Sequence, residues 1–445
     1  MKKLINPFSP PKALVIGFAI LILIGACLLT LPIATEDGQG LPFINALFTA
    51  TSATCVTGLV VVDTGTTFTL FGELVIISLI QIGGLGFMTF ATLVFLLLGK
   101  KISLKERLLL KEAFNNEHHS GMVRLVKRIL LFTAVIELTG GLILGIRFSF
   151  DMPLGRALYY GFWHSISNFN NAGFDLMGNY NSLTGYVDDP TVVLTVCVLI
   201  TLGGLGFMVL NELVDYRKAQ RLSLHSKVVL SMTCLLTVGG TILILLFEAG
   251  NPKTLEQLSP IGKVLGALFQ SVTPRTAGAN TLPIGDLTQS SLFLIIILMY
   301  IGAGSGSTAG GIKVSTVAVL FATAWAQVKG NGDVVLFKRR VVVETILEAF
   351  TVALAGFLIV ITLTMLLTIT ESGDLFIMYL FEASSAFGTV GLSMGLTPEL
   401  SSFGKIIIIL AMFAGRLGPL TIAFAISKRQ KPTAIRHPKG NIMIG

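Results

Sequence analysis

The chain has 445 residues, of which 53% are hydrophobic and only 13% charged, with a formal net charge of +8. A soluble domain carries roughly 25% charged residues. This composition excludes an ordinary soluble enzyme or a nucleic-acid-binding module and points to a chain that lives in a bilayer. In chain order, the apolar runs predict membrane helices near residues 13–33, 74–99, 126–147, 191–213, 227–248, 292–327 (interrupted), 344–369 and 405–427, since about 20 apolar residues span the hydrocarbon. Shorter semi-apolar stretches near 42–53, 157–168, 261–273 and 376–386 separate the two members of each pair. They predict re-entrant helices, tolerated only where protein or a water-filled cavity surrounds their ends.

Each re-entrant stretch runs into a glycine. The segments are Ser52-Ala-Thr-Cys-Val-Thr-Gly58, Ser167-Asn-Phe-Asn-Asn-Ala-Gly173, Val272-Thr-Pro-Arg-Thr-Ala-Gly278 and Ser385-Ala-Phe-Gly-Thr-Val-Gly391. Phe48, Trp163, Leu268 and Phe381 stand ten residues before the four glycines, which recur roughly every 110 residues. That period is too long for a solenoid and predicts one folding unit occurring four times. The expected units are 12–113, 120–226, 227–340 and 341–430, followed by a cytosolic tail, 431–445. The expected fold is an all-α membrane protein of eight transmembrane helices and four re-entrant pore helices around one central pore.

Charge predicts the orientation. With the N-terminus inside, most of the 32 Lys and Arg fall on inner segments, including Lys2, Lys3, Lys12, the 100–128 region, Arg217, Lys218, Lys338, Arg339, Arg340 and the tail. The outer segments hold Glu36, Asp37, Asp63, Asp188, Asp189 and Asp374. This is the positive-inside pattern, and the outer acids would enrich cations at an external mouth. The N-terminal run reads as an uncleaved first helix: Pro7, Pro10 and Pro11 precede it, and its removal would break the four-fold pattern. Cys27, Cys55, Cys197 and Cys234 lie in or near spans, with no disulfide or metal spacing.

A cation crossing the bilayer must exchange its water shell for other oxygens, and rings of backbone carbonyls in Thr-Val-Gly loops do this without fixed charge. The four loops read Val56-Thr57-Gly58, Asn171-Ala172-Gly173, Thr276-Ala277-Gly278 and Thr389-Val390-Gly391, with no Asp or Glu leading into any glycine. Glycine supplies the unusual dihedrals that such a backbone needs, and each pore helix would aim the negative end of its dipole at the ion.

The span after each glycine carries a second recurring feature. Ile82-Gly83-Gly84-Leu85-Gly86-Phe87-Met88 returns as Leu202-Gly203-Gly204-Leu205-Gly206-Phe207-Met208, and the last span has Gly415-Arg416-Leu417-Gly418-Pro419. Small residues permit close helix packing. The third span differs: Gly302, Gly304, Ser305, Gly306, Ser307, Thr308, Gly310 and Gly311 cannot hold a comfortable helix. They predict a broken helix with a loop below the glycines, able to obstruct the pore and act as a gate. Lys313, beside it, either pins the loop or snorkels. Arg416 falls at membrane depth, where a charge is costly and usually functional. It is expected either to set an electrostatic barrier in the pore or to pair with Glu382 or Glu137. Arg275 is expected to pair structurally, with Glu382 as the candidate partner.

These motifs together resemble the Trk/Ktr/HKT superfamily of K⁺ transporters over about residues 10–445. The short N-terminus, eight spans and the run Thr389-Val-Gly-Leu-Ser-Met-Gly-Leu-Thr-Pro-Glu399 are most similar to the bacterial KtrB/KtrD membrane subunits. The resemblance implies K⁺ uptake driven by the membrane potential, with Na⁺ as a candidate activator and no bound organic cofactor. It implies a homodimer in a bacterial cell membrane, both termini cytosolic, resting on a cytosolic ring of nucleotide-binding RCK subunits (KtrA/KtrC-like). It assigns the filter to Gly58, Gly173, Gly278 and Gly391, the gating loop to about 302–312 and the pore arginine to Arg416. Glycine at position 58, where sodium-preferring plant members have serine, implies K⁺ selectivity. A K⁺/Na⁺ symporter or a Na⁺-permeable cation transporter of the same fold is the alternative; the sequence shows no second set of oxygen ligands. An enzyme finds no support: His118, His119, His164, His225 and His437 are scattered without metal-ligand spacing.

Overall fold

The computed structural model describes residues 10–86, 122–371, 373, 375–419 and 421. The expected end of the second span, the basic 100–121 segment, residues 420 and 422–427 of the final span and the 431–445 tail lie outside the described residues. The longer helices are α1 (Pro10–Leu29), α2 (Phe43–Thr54), α3 (Leu70–Leu85), α4 (Met122–Phe148), α5 (Leu154–Phe169), α6 (Pro190–Leu205), α7 (Phe207–Ala219), α8 (Leu224–Glu248), α9 (Pro260–Val272), α10 (Gln289–Tyr300), α11 (Val314–Val328), α12 (Val343–Thr370), α13 (Phe376–Gly388) and α14 (Ser402–Leu417). A two-residue hairpin, Val335–Leu336 paired with Arg339–Arg340, is the only strand pair among the described residues apart from two isolated bridges. Its turn residues Phe337 and Lys338 both have positive φ, as a type I′ hairpin turn requires.

Polarity runs inside out. Leu246 is 69% exposed and Ile369 78%, on the long helices α8 and α12, whereas Thr51, Ser52, Thr57, Asn170, Asn171, Thr276, Ser385 and Thr389 are fully buried. A chain solvated by lipid needs this arrangement, because polar groups must be satisfied within the protein. Among the described residues, α1, α4, α8 and α12 are long and apolar enough to cross a membrane, and the bent pair α6–α7 would make a fifth span.

The helices that follow the glycine loops are shorter than hydropathy suggests. Where the sequence predicts a continuous span at 191–213, α6 and α7 meet at a 100° bend. The joint is Gly206, with φ 96°; α3 stops at Gly86 (φ 83°) and α14 at Gly418 (φ 81°). A positive φ ends a right-handed helix, and glycine alone enters that region without a Cβ penalty. In the third case the interruption widens: α10 ends at Tyr300 and α11 begins at Val314, with Ile301 and Ile312 paired across the neck.

Packing closes in a circle. Each long helix lies on the short helix that follows it: α1 on α2, α4 on α5, α8 on α9, α12 on α13. Each subsequent helix also reaches the short helix of the next set: α3 meets α5, α6 meets α9, α10 meets α13, and α14 returns to α2. One repeated contact keys this packing. A Cβ placed at Gly83, Gly203 or Gly415 would come closer than 3.0 Å to the carbonyl oxygens of Thr54, Phe169 and Phe387 respectively. Those carbonyls stand four residues before Gly58, Gly173 and Gly391, so glycine–backbone contact sets how near each helix comes to the loop.

Gly203→Ala should therefore force backbone apart at about 1–3 kcal/mol or more, lowering the thermal midpoint and the yield of monodisperse protein. Gly239→Ala, at a helical position with nothing within 4 Å, is the control and should leave both unchanged.

Candidate functional site

The four loops meet at one place. Gly58, Gly173, Gly278 and Gly391 have φ of 93°, 68°, 80° and 97°, and the residue two before each, Val56, Asn171, Thr276 and Thr389, is also left-handed at 57°, 61°, 71° and 50°. The residue between is not, so the backbone alternates in hand identically in all four loops. The loops also touch in a closed cycle. A Cβ on Gly58 would strike the Ala172 carbonyl, one on Gly173 the Ala277 carbonyl, one on Gly278 the Val390 carbonyl and one on Gly391 the Thr57 carbonyl, all inside 3.0 Å. Thus the structure brings together all twelve loop residues named from the sequence, and any side chain at the four glycines would collide with backbone.

Each short helix holds its loop by the same means. The Thr57 N–H donates to Ser52 O, Ala172 N–H to Ser167 O and Val390 N–H to Ser385 O, each at 2.8 Å; Ala277 N–H donates to Thr273 O at 2.9 Å. Hydroxyls add a second tie. Gly58 N–H donates to Ser52 Oγ and Gly391 N–H to Ser385 Oγ, both at 3.1 Å, while Ser167 Oγ donates to Phe174 O at 2.6 Å and Thr273 Oγ1 to Ala279 O. These ties were missed from sequence, although serine opens three of the four motifs. The hydroxyls of Thr57 and Thr389 are buried without a hydrogen-bond partner among the described residues. Such an orphan costs about 1–3 kcal/mol unless something else satisfies it.

Above the glycines lies a cavity of about 550 Å³ whose floor is all four of them. Its lining includes two carboxylates, Asp63 and Asp175, and no lysine or arginine. Asp63 is fixed by N–H groups of Thr66 (2.9 Å) and Tyr180 (2.7 Å). Asp175, partly exposed to the cavity, has its carboxyl pushed up to about 7, first by burial and then by the charge of Asp63, against the lowering effect of the Met177 N–H. A cleft lined by one sign of charge concentrates counter-ions.

Below the glycines lies the non-helical 301–313 segment. Gly304 N–H donates to Gly204 O at 2.8 Å, Thr308 N–H to Gly203 O at 3.4 Å, and Phe207 N–H returns to Gly306 O at 3.0 Å. Thr308 Oγ1 lies 3.3 Å from Phe169 O and 3.2 Å from Asn171 Oδ1. A Cβ on Gly310 would strike the Thr389 side chain, so the segment sits directly beneath the loops. Lys313 Nζ donates to Ala309 O (2.9 Å) and Gly310 O (3.2 Å), so it binds the segment instead of snorkelling.

Arg416 reaches the same segment. Its guanidinium donates to Thr308 O, to Gly83 O and, at 3.3 Å, to Gly84 O. The expected carboxylate partners are engaged elsewhere. Glu137 accepts from Gln81 Nε2 (3.2 Å) and Asn170 Nδ2 (3.0 Å), and Glu382 accepts from Ser393 Oγ (2.9 Å) and Thr397 Oγ1. Arg275 donates to Thr237 Oγ1 at 2.7 Å and has no acidic partner among the described ion pairs. Arg416 donates to carbonyls left open by the non-helical segment and the end of α3, and Arg275 to a hydroxyl on α8; a guanidinium has five N–H donors, and uncharged oxygens can take them as an acid would.

Residues 13–435 match the family model TrkH, a cation transport protein. The chain is similar to the Ktr system potassium uptake protein B of Bacillus subtilis (strain 168), at 47% identity over 98% of this chain and 97% of that one. It is 40% identical to the potassium/sodium uptake protein NtpJ of Enterococcus hirae, over 100% of this chain and 99% of the relative. Among solved structures, the potassium transporter TrkH of Vibrio parahaemolyticus aligns with a TM-score of 0.74 over 96% of this chain and 87% of that chain; at 17% identity the likeness is one of fold.

Hydrogen bonds to a charged donor contribute about 1.5–3 kcal/mol each. Arg416→Gln should therefore raise amide hydrogen exchange at Gly304 and Thr308 by about 10- to 150-fold, leaving the N–H groups of α8 unchanged. Equal protection in the variant would mean that the arginine does not hold the segment.

Proposed function

The chain belongs to the TrkH family of cation transport proteins, and from that membership we propose that it is the ion-translocating membrane subunit of a K⁺ uptake system. The observation that carries this reading is the closed cycle of four glycine loops at the floor of an acidic cavity. Asp63 and Asp175 would concentrate cations at the outer mouth. The ion would then exchange its water for carbonyls of Val56, Thr57, Asn171, Ala172, Thr276, Ala277, Thr389 and Val390, as carbonyl filters do. The orphaned hydroxyls of Thr57 and Thr389 fit the same path, where a passing ion or its water would satisfy them. The short helices α2, α5, α9 and α13 act as pore helices, and the four units surround one pore.

Beneath this filter, the Gly302–Gly311 segment serves as the gate and Arg416 as an electrostatic barrier. A guanidinium in the path opposes a second cation nearby, which favours single occupancy over rapid multi-ion flux. Inward movement is driven by the membrane potential, about 2.3 kcal/mol per charge per 100 mV. The family resemblance supports a homodimer with both termini cytosolic in a bacterial cell membrane, gated by a separate nucleotide-binding RCK ring. A second reading, K⁺/Na⁺ symport, is favoured by one observation, the potassium/sodium description of the Enterococcus hirae relative.

Expression in a K⁺-uptake-deficient bacterium at submillimolar K⁺, with and without Na⁺ and an RCK subunit, tests the proposal. Growth rescue is expected; no rescue in any combination, with the protein shown in the membrane, would overturn it. Gly58→Ser should lower K⁺-over-Na⁺ preference about tenfold, a loss of about 1.4 kcal/mol, and an unchanged preference would remove Gly58 from the filter. Deleting part of Gly304–Gly310 should raise K⁺ flux through a folded protein, whereas unchanged flux would deny the segment a gating role.

A further inference from the structure

The four short helices all tie the residue before their glycine by a backbone hydrogen bond, but they differ one level further out. Nine residues before each glycine stand Thr49, His164, Phe269 and Glu382. Two of these reach past the glycine to the chain that follows it. Glu382, fully buried, accepts hydrogen bonds from Ser393 Oγ at 2.9 Å and from Thr397 Oγ1. His164, also fully buried, accepts from Leu176 N–H through Nε2 at 3.3 Å and contacts Tyr160 O through Nδ1 at 2.7 Å. With Nε2 accepting, the ring proton belongs on Nδ1. Ser393 and Thr397 line the outer cavity, as does Asp175 next to Leu176.

The equivalent positions in the other two loops make no such tie. The Thr49 hydroxyl is buried without a partner, Phe269 has no polar atom, and its neighbour Gln270 reaches Leu282 O only at 3.5 Å. The glycine contacts run from loop 1 to 2 to 3 to 4 and back, so the two braced loops, 2 and 4, face each other across the axis.

We propose that cation discrimination by the ring is set along this diagonal, with Glu382 and His164 as positioning residues that fix the spacing of loops 2 and 4. A ring whose carbonyls are free to close would solvate a smaller cation as well as a larger one; a brace on two opposite sides resists that closure. Glu382 is the stronger brace, because it accepts from two hydroxyls beyond its glycine where His164 accepts from a single N–H at 3.3 Å. The inference rests on the K⁺-uptake reading and goes beyond it by assigning selectivity to residues that touch no ion.

The test uses purified full-length protein in liposomes, with potential-driven Rb⁺ and Na⁺ influx measured for each variant at equal incorporated protein. Glu382→Ala should lower the Rb⁺/Na⁺ flux ratio about tenfold. Glu382→Gln, which keeps volume and one acceptor, should lower it only about threefold, and His164→Ala should fall between wild type and Glu382→Ala. The double variant Ser393→Ala/Thr397→Val removes the same hydrogen bonds from the other side. It should match Glu382→Ala, add nothing when combined with it, and decide the matter if Glu382→Ala does not assemble. Thr49→Val and Phe269→Leu, at the same position of loops 1 and 3, should stay within twofold of wild type. An unchanged ratio in Glu382→Ala or in the double variant would overturn the proposal, as would an equal fall in Thr49→Val. Wild type lacking Rb⁺ flux would instead refute K⁺ uptake itself.

Discussion

Backbone-to-backbone contact at four glycines is the constraint on which the rest of the structure depends. Each of Gly58, Gly173, Gly278 and Gly391 faces a carbonyl of the next loop with no room for a Cβ, and the contacts close into a cycle. Such proximity is attainable only if four helix ends are brought to one axis at matched height. The second set of glycines, Gly83, Gly203 and Gly415, lets the following helices lie against the carbonyls at the ends of the short helices. Close approach at the centre therefore requires close approach one layer out, and both layers are made from missing side chains.

The bilayer explains what surrounds that centre. Lipid offers no hydrogen bonds, so every loop group at depth must find a partner inside the protein. Serine and threonine hydroxyls close the helix ends onto the loops, and the third inner segment is held by carbonyls and N–H groups of α6 and α7. Arg416 and Lys313 belong to the same accounting. Both cations donate to carbonyls of a segment that has given up its helix, so the charge and the broken backbone satisfy one another.

Much of this was legible in the sequence because it repeats. Four glycines in equivalent surroundings mark the loops, and the glycine-rich third span marks the interruption that runs from Ile301 to Lys313. The break at Gly206 and the glycine ends of α3 at Gly86 and of α14 at Gly418 were not legible from hydropathy, which sums side chains and is blind to φ. The acid partner expected for Arg275, and the one that was the alternative for Arg416, are not found among the described residues, for a related reason. Sequence shows acids but does not show which carbonyls a helix break has left open, and Glu137 and Glu382 had amides and hydroxyls close at hand. The serine ties stood in plain view at Ser52, Ser167 and Ser385, yet serine is common enough that only the geometry reveals its work.

The most direct test of the account is a crystal structure of the full-length protein in Rb⁺, with anomalous scattering used to place the ion. The account predicts a peak on the axis between the carbonyls of Thr57, Ala172, Ala277 and Val390, above the 301–313 segment. Rb⁺ bound elsewhere, with the axis empty at a concentration that supports flux, would contradict it.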